Sequence, residues 1–422
     1  MRYAYFLFPT IFIAYLSNLM ITPLFKNMAL DLSVGIENLG SLVTIYGIAA
    51  GSIALFAGPV SDKYGRKPIL VMASIGTAIF SLLFALSWSF PTLIIFRVLT
   101  AIMAGPLMGC ALAAIPDYID AKDRGRAVGL MTSALYMASI LGVPIGLTLA
   151  GSEPQHWRWA FFLIVILACL TAVVLLVGLP KRTPANPNLK LHPTAIVKGY
   201  LSALSNAGRR HMCLVYACVY FANGMYITYY PSYLMVNRSL SIKGLSLLFM
   251  CGGLLAFAGT FIAGRIATQP RRREIFLIAT GLLCAAMLAI LISTADQSTI
   301  FLIALPIGLT YMASDAFRLT SLQLEALDHS DATTRGAFMG LLSFVTTASS
   351  SAGAAFGGTF MTYVKRNWSA HQTPTMEAIA HSHYLHGYDL LSYIAMGFML
   401  LAAFLLYRSR QAGRVSIVVS GG

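Results

Sequence analysis

The chain has 422 residues, of which 58% are hydrophobic and only 10% charged, which leaves too little polar surface to solvate a globule of this size in water. A net charge of +14 invites a nucleic-acid partner, but most of the Lys and Arg residues sit in short segments between long apolar runs, on one side of them. Together with a mean hydropathy of +0.74, this excludes a soluble DNA-binding protein and makes lipid the solvent.

Runs of about 20 residues, enough to cross a bilayer core, recur along the whole chain. In order they fall at about 4–25, 40–60, 68–88, 90–117, 127–150, 158–180, 211–235, 244–268, 275–294, 298–325, 336–363 and 388–407. Lipid offers no hydrogen-bond partners, and runs this continuous do not alternate as barrel strands do, so the spans are helices. The start, Met1-Arg2-Tyr3-Ala4, leads directly into the first span without a small-residue cleavage site, and that span is read as retained. Basic clusters follow the even-numbered spans: Lys63, Arg66 and Lys67; Lys122, Arg124 and Arg126; Lys181 and Arg182; Arg271, Arg272 and Arg273; and Arg408, Arg410 and Arg414. Both termini are therefore expected in the cytoplasm. Cys110, Cys169, Cys213, Cys218, Cys251 and Cys284 all fall inside spans without metal-ligand spacing and read as packing residues.

The longest polar stretch between spans, roughly 181–210, is rich in Pro, Asn and Lys and lies near mid-chain. It divides the sequence into an expected first half at 1–182, a linker at 183–208 and a second half at 209–422. The halves carry a repeat. Tyr15-Leu16-Ser17-Asn18-Leu19-Met20 recurs as Tyr220-Phe221-Ala222-Asn223-Gly224-Met225, and Arg124-Gly125 before the fifth span matches Arg335-Gly336 before the eleventh. The expected fold is all-α and polytopic, with about 12 helices in two pseudo-symmetric six-helix bundles.

Between the second and third spans stands Gly58-Pro59-Val60-Ser61-Asp62-Lys63-Tyr64-Gly65-Arg66-Lys67, which matches Gly-x-x-x-Asp-Arg/Lys-x-Gly-Arg-Arg/Lys at every defined position. It resembles the signature loop of the major facilitator superfamily, and with the span count and central loop the resemblance covers essentially the whole chain. Gly58 permits close helix approach and Gly65 a sharp turn. Lys63, Arg66 and Lys67 are placed to pair with acidic residues after the fourth span, Asp117 and Asp120, so that Asp62, Arg66 and Asp117 would latch one conformation. The alternative is that these cations only enforce topology. Arg97 followed by Gly105 in the fourth span, and Gly142, Pro144 and Gly146 in the fifth, resemble features of the drug/proton antiporter group. The second of these also reads as helix packing with a local kink. The counterpart loop in the second half keeps Gly264 and the cluster Arg271-Arg272-Arg273 but lacks the Asp.

Ionisable residues inside spans default to the bundle interior or a water-filled cavity. Arg97, Asp315 and Arg318 qualify, and the last two, three apart, can pair on one helix face. Asp315 is the proton-coupling candidate; the alternative is an internal ion pair that never titrates. Exporters of this resemblance often carry an acid in the first helix, where this chain has Asn18. Tyr15, Asn18, Tyr220, Asn223 and Tyr226 occupy matching places in the first and seventh helices, which in this family face the central cavity. With Arg97 and Arg318 they are the expected substrate contacts, although amides and phenols also join helices. Two Arg against one Asp favour an anionic or zwitterionic solute. His371, His381, His383 and His386 precede the last span as solvated loop residues, with metal binding the lesser alternative.

No metalloprotease helix, phosphate-cradling loop or nucleophile–base set is found. The expectation is thus a non-enzymatic, cofactor-free, monomeric secondary transporter in a bacterial inner membrane. It exports a metabolite, chelator or drug against protons; the rival is an importer or facilitator of a polar nutrient such as an amino acid or nucleoside. Its partners are a small molecule, protons and the lipid bilayer, with no nucleic acid.

Overall fold

The computed structural model describes residues 1–120, 123–180, 201, 204–267, 271–293, 300–329, 335–369, 385 and 387–419. Among these the structure is helical, with no strand. The predicted linker lies mostly outside the described residues, as do the loop histidines. The helices are α1 (Arg2–Leu19), α2 (Phe25–Leu32), α3 (Ile36–Tyr64), α4 (Arg66–Ala85), α5 (Phe90–Tyr118), α6 (Arg124–Met137), α7 (Val143–Ala150) and α8 (Trp157–Gly178), followed by α9 (Ala207–Ile227), α10 (Tyr230–Val236), α11 (Ile242–Ile266), α12 (Arg272–Ile292), α13 (Ile300–Asp328), α14 (Arg335–Ser369) and α15 (Tyr388–Val419).

Hydrogen bonds between loops identify the two ends of the bundle. At the end holding the N-terminus, the Met1 ammonium lies 3.7 Å from Asp123 and the Tyr118 hydroxyl donates to Pro180 O. At the far end, Asn27 Nδ2 donates to Gly151 O and Glu153 O, Trp157 Nε1 to Asp31, and the Arg238 guanidinium to Ile290 O, Leu291 O and Ser293 O. These ends are called the terminal face and the far face below.

Two of the predicted spans are broken at proline. α1 stops at Leu19 and resumes through a tight turn at Thr22–Leu24 because Pro23 has no N–H to give to the carbonyl one helical turn earlier. α9 stops at Ile227 and α10 carries Pro231 in its first turn, so the same break falls at the matching place in the repeat. Pro144 has a milder effect. The turn before it, Ala138–Gly142, widens to a π-turn, which removes the demand for the missing donor without ending the helix.

Among the described residues, eleven stretches are long and apolar enough to cross a membrane, each matching one of the predicted spans. The predicted span 336–363 is not among them, although α14 is a continuous helix of 35 residues. Its middle reads Thr346-Thr347-Ala348-Ser349-Ser350-Ser351-Ala352-Gly353, too polar for a lipid-facing helix. α14 instead packs along α3 and α9. A Cβ on Gly224 would strike the Ser350 carbonyl and one on Gly353 the Phe221 carbonyl, so backbone meets backbone there, as at small-residue crossings in lipid.

Candidate functional site

The charged centre of the molecule is built on α13. Asp315 and Arg318 lie one turn apart, and Arg318 Nη2 donates to Asp315 Oδ1 at 2.5 Å and to Asn223 Oδ1 of α9 at 2.8 Å. Asn223 Nδ2 turns back to Asp315 Oδ1 at 3.4 Å, closing a three-residue ring. Burial within the pair is unequal. The Arg318 side chain is 0% exposed and that of Asp315 24%, so the carboxylate borders open space and the guanidinium lies behind it. Among the described residues, Arg318 Nε and Nη1 have no hydrogen-bond partner. A guanidinium brings five N–H donors, and leaving buried donors unmade costs roughly 1–3 kcal/mol per group, more for charged ones. The arrangement therefore holds unused capacity for an oxygen-rich ligand.

The sequence candidates sort around this ring. Tyr220 lies within electrostatic reach of Asp315 and Arg318, and of Tyr15 from the first half. Tyr15 in turn neighbours Tyr136, which also reaches Asp315 and whose hydroxyl meets Thr260 across the halves. Tyr136 was not singled out from sequence, because nothing in helix spacing separates it from a core aromatic. Asn18 is exposed in mid-span, where a polar amide facing lipid would be costly, so it faces the interior water space. Tyr226 is 1% exposed and packs against Tyr230, Tyr311 and Tyr388, with its carbonyl accepting from the Tyr388 hydroxyl. It belongs to the packing beneath the ring.

Arg97 is not brought to this ring. Its Nη1 and Nη2 donate to Ser17 O at 3.1 and 3.2 Å, its Nε points to Leu42 O at 3.4 Å, and its guanidinium lies 4.0 Å from the centre of the Tyr46 ring. Ser17 is in the last turn of α1, just before the Pro23 break, where carbonyls lack helical partners. Arg97 thus caps the broken helix, and its charge suits the negative end of the helix dipole. Gly142 and Gly146 hold the fifth span against the same segment: a Cβ on either would strike Leu16 or Met20.

In the signature loop, Gly65 has φ of 95°, a conformation that a Cβ resists, and it turns the chain from α3 into α4. Arg66 Nε donates to Asp117 Oδ2 at 3.1 Å, the pairing expected from sequence, and its Nη1 contacts Ser61. Lys67 instead donates to Leu176 O and Leu179 O, capping α8, while Lys63 lies beside the Tyr64 ring. Gly58 and Asp62 fall in the last turns of α3; their side-chain surroundings lie outside the described residues. The counterpart loop of the second half finds acidic partners that its sequence did not indicate: Arg272 pairs with Asp328 and Arg273 Nη2 with Glu325 at 2.6 Å, joining α12 to α13 as Arg66 joins α4 to α5.

Contacts between the halves extend to the far face. Lys365 of α14 pairs with Glu37 of α3 at 3.0 Å, the Tyr229 hydroxyl donates to Glu37 O at 3.4 Å and Ala354 O at 2.9 Å, and Thr44 donates to Ser351 O. A Cβ on Gly40 or Gly358 would strike that Tyr229 hydroxyl, so the two halves meet tightly there.

A family model described as Major Facilitator Superfamily matches residues 7–354, with a second match at 212–416. The chain belongs to the major facilitator superfamily. It is 23% identical to the hexuronate transporter of Bacillus subtilis (strain 168) over 74% of this chain and 77% of that protein. It is 26% identical to the quinolone resistance protein NorA of Staphylococcus aureus (strain MRSA252) over 56% of this chain and 62% of that protein. The chain spans about two thirds of the length of several curated relatives it matches. Among solved structures, that of the human organic anion transporter MFSD10 (TETRAN) superposes with a TM-score of 0.67 at 17% identity, covering 96% of this chain and 99% of that one. The superfamily chain is thus a multi-pass membrane protein of a transporter family, and neither the family nor these neighbours are enzymes.

Proposed function

We propose that this protein moves a small organic anion across a bacterial plasma membrane by alternating access, with Asp315 and Arg318 coupling that movement to a proton. The observation that carries the reading is the Arg318 guanidinium: fully buried, engaged through Nη2 by Asp315 and Asn223, and without partners at Nε and Nη1 among the described residues. While Asp315 is ionised it competes with any substrate carboxylate for that guanidinium. Protonation removes the competitor and leaves the cation to a carboxylate ligand. Proton and anion then bind together and the ring is emptied of both together, which is the logic of symport. The substrate-facing residues are Asn18, Tyr15, Tyr136, Tyr220 and Asn223, and the sugar-acid and organic-anion transporters among its likenesses support this substrate class.

In this reading 1–182 and 209–422 rock as two bundles about the ring, joined by the 183–208 loop, with the termini cytoplasmic and the protein active as a monomer. The contacts at Glu37, Lys365 and Tyr229 close the far face, leaving the terminal face to open. Arg66 with Asp117 stiffens that face in the first half. A second reading, proton-driven export of a drug, is favoured by the resemblance to the drug/proton antiporter group and the likeness to NorA.

The test is uptake into oriented proteoliposomes under an imposed pH gradient, with D-glucuronate, neutral sugars and cationic dyes compared and Asp315→Asn alongside. Uphill glucuronate flux that follows the proton and is lost in the variant supports symport of an anion. Dye extrusion coupled to the opposite proton movement supports export, and flux indifferent to the gradient in both proteins removes Asp315 from coupling.

A further inference from the structure

Outside the central ring, the far face holds a cavity of about 890 Å³ walled by both halves. The first half contributes Lys26 and Asn27 of α2, the turn through Gly35 to Glu37, and Ser152; the second contributes Met235 and Val236 at the end of α10, residues 239–242 and Lys365. The cavity adjoins the closure described above, since Glu37 and Lys365 belong to both. Its walls are fixed rather than loose. Asn27 is bound to Gly151 O and Glu153 O at 3.2 and 3.1 Å, and Ser241 Oγ accepts from Gly244 N at 3.1 Å to cap α11.

The charges lining this space lean positive. Two ammonium groups, Lys26 and Lys365, border it against the single carboxylate of Glu37. Glu37 is already engaged by Lys365 at 3.0 Å, whereas Lys26 has no ion pair among the described residues. The N-terminal ends of α3 and α11 also open onto it, adding partial positive charge. Of the nearby carboxylates, Asp31 is held by Arg158 and Trp157, while Glu153 follows the lining residue Ser152 and is exposed. A volume of this size accommodates a molecule of monosaccharide dimensions, within the usual range of about 300–1,000 Å³ for small-molecule sites.

We propose that this far-face cavity is a second solute site, in which Lys26 binds the carboxylate of a small organic acid before the anion reaches, or after it leaves, the central ring. The proposal rests on the organic-anion reading for its ligand class, but not on Arg318 or on proton coupling. An anion bound beside Lys365 competes with Glu37 for that ammonium, so occupancy loosens the contact that closes the far face.

Ser152 lines the cavity and is exposed, and a thiol placed there reports its occupancy. The experiment measures the rate at which a neutral maleimide labels the Ser152→Cys protein in nanodiscs, with and without D-glucuronate, using D-glucose as the uncharged control. At a glucuronate concentration about ten times its dissociation constant, labelling slows about tenfold. The protection is expected to persist when Arg318→Gln is added, to disappear when Lys26→Gln is added, and to be absent with glucose. Absence of protection in the Ser152→Cys parent, equal protection by glucose, survival of protection in Lys26→Gln, or its loss in Arg318→Gln would each overturn the proposal. Glucuronate transport measured on the same parent protein separates the two ideas: flux without protection overturns the far-face site and leaves the central reading standing.

Discussion

Arg97 and Arg318 lie within membrane spans at 1% and 0% exposure, and their surroundings differ in kind. The donors of Arg97 go to main-chain carbonyls, Ser17 O and Leu42 O, and its flat face lies over Tyr46. None of those partners can take up or lose a proton in the working pH range. Arg318 is bound to a carboxylate and an amide through one nitrogen, with two nitrogens unmatched. The comparison separates a cation that repairs a helix break from one whose partner set can change. Charge inside a span is therefore a weak guide to function until the partners are known.

The comparison breaks or sharpens through four substitutions. Arg318→Gln is expected to have the largest effect: glucuronate uptake falls about a hundredfold, equivalent to ~3 kcal/mol for a charge-assisted contact, while folded yield is unchanged. Uptake at the parental rate would put the two arginines in one class. Arg97→Met is expected to act on stability, by about 2 kcal/mol, with several degrees lost from the thermal midpoint in detergent and transport per folded molecule within about threefold. A stable but inactive Arg97→Met protein would reverse the assignment. Asp315→Asn should abolish uphill accumulation yet keep glucuronate exchange across equilibrated vesicles within about tenfold, since the amide mimics the protonated acid. Its exchange rate should also lose dependence on pH, measured over the range in which the parent varies.

The smallest effect is expected at a partly exposed pair. Glu37→Gln removes the ion pair to Lys365 and should shift the balance of states by about 0.5–1 kcal/mol, a twofold to fivefold rise in thiol labelling of a cysteine placed at Thr44. An unchanged labelling rate would mean that Tyr229 and the glycine contacts alone hold the far face shut.

Much of this architecture is written in local patterns. Apolar runs and alternating basic loops locate the helices because lipid forces both, and the Gly65 turn with Arg66 and Asp117 is legible because the signature loop fixes one partner close to the other in space. The Asp315–Arg318 pair is legible from its spacing on one helix. Other features depend on which helices become neighbours. Lys67 caps α8 from 109 and 112 residues away, and Lys365 finds Glu37 across 328 residues, so neither bond has a trace in sequence. Arg97 read as a pathway residue because periodicity does not reveal that α1 ends at Leu19 and leaves Ser17 O to a side-chain donor. Tyr136 and Tyr226 exchange significance for a similar reason: both are aromatic positions in apolar helices, and only packing decides which one borders the ring.

The polarity of α14 bears on how the chain is assembled. A helix that falls short of the hydropathy of its eleven companions is a poor candidate for partitioning into lipid by itself, because its serine and threonine hydroxyls and bare glycine backbone need protein neighbours. Those neighbours are α3 and α9, made from the early and middle portions of the polypeptide. Stable insertion of this late segment therefore waits on the earlier helices, and it makes the second half dependent on the first during biosynthesis as well as during the transport cycle.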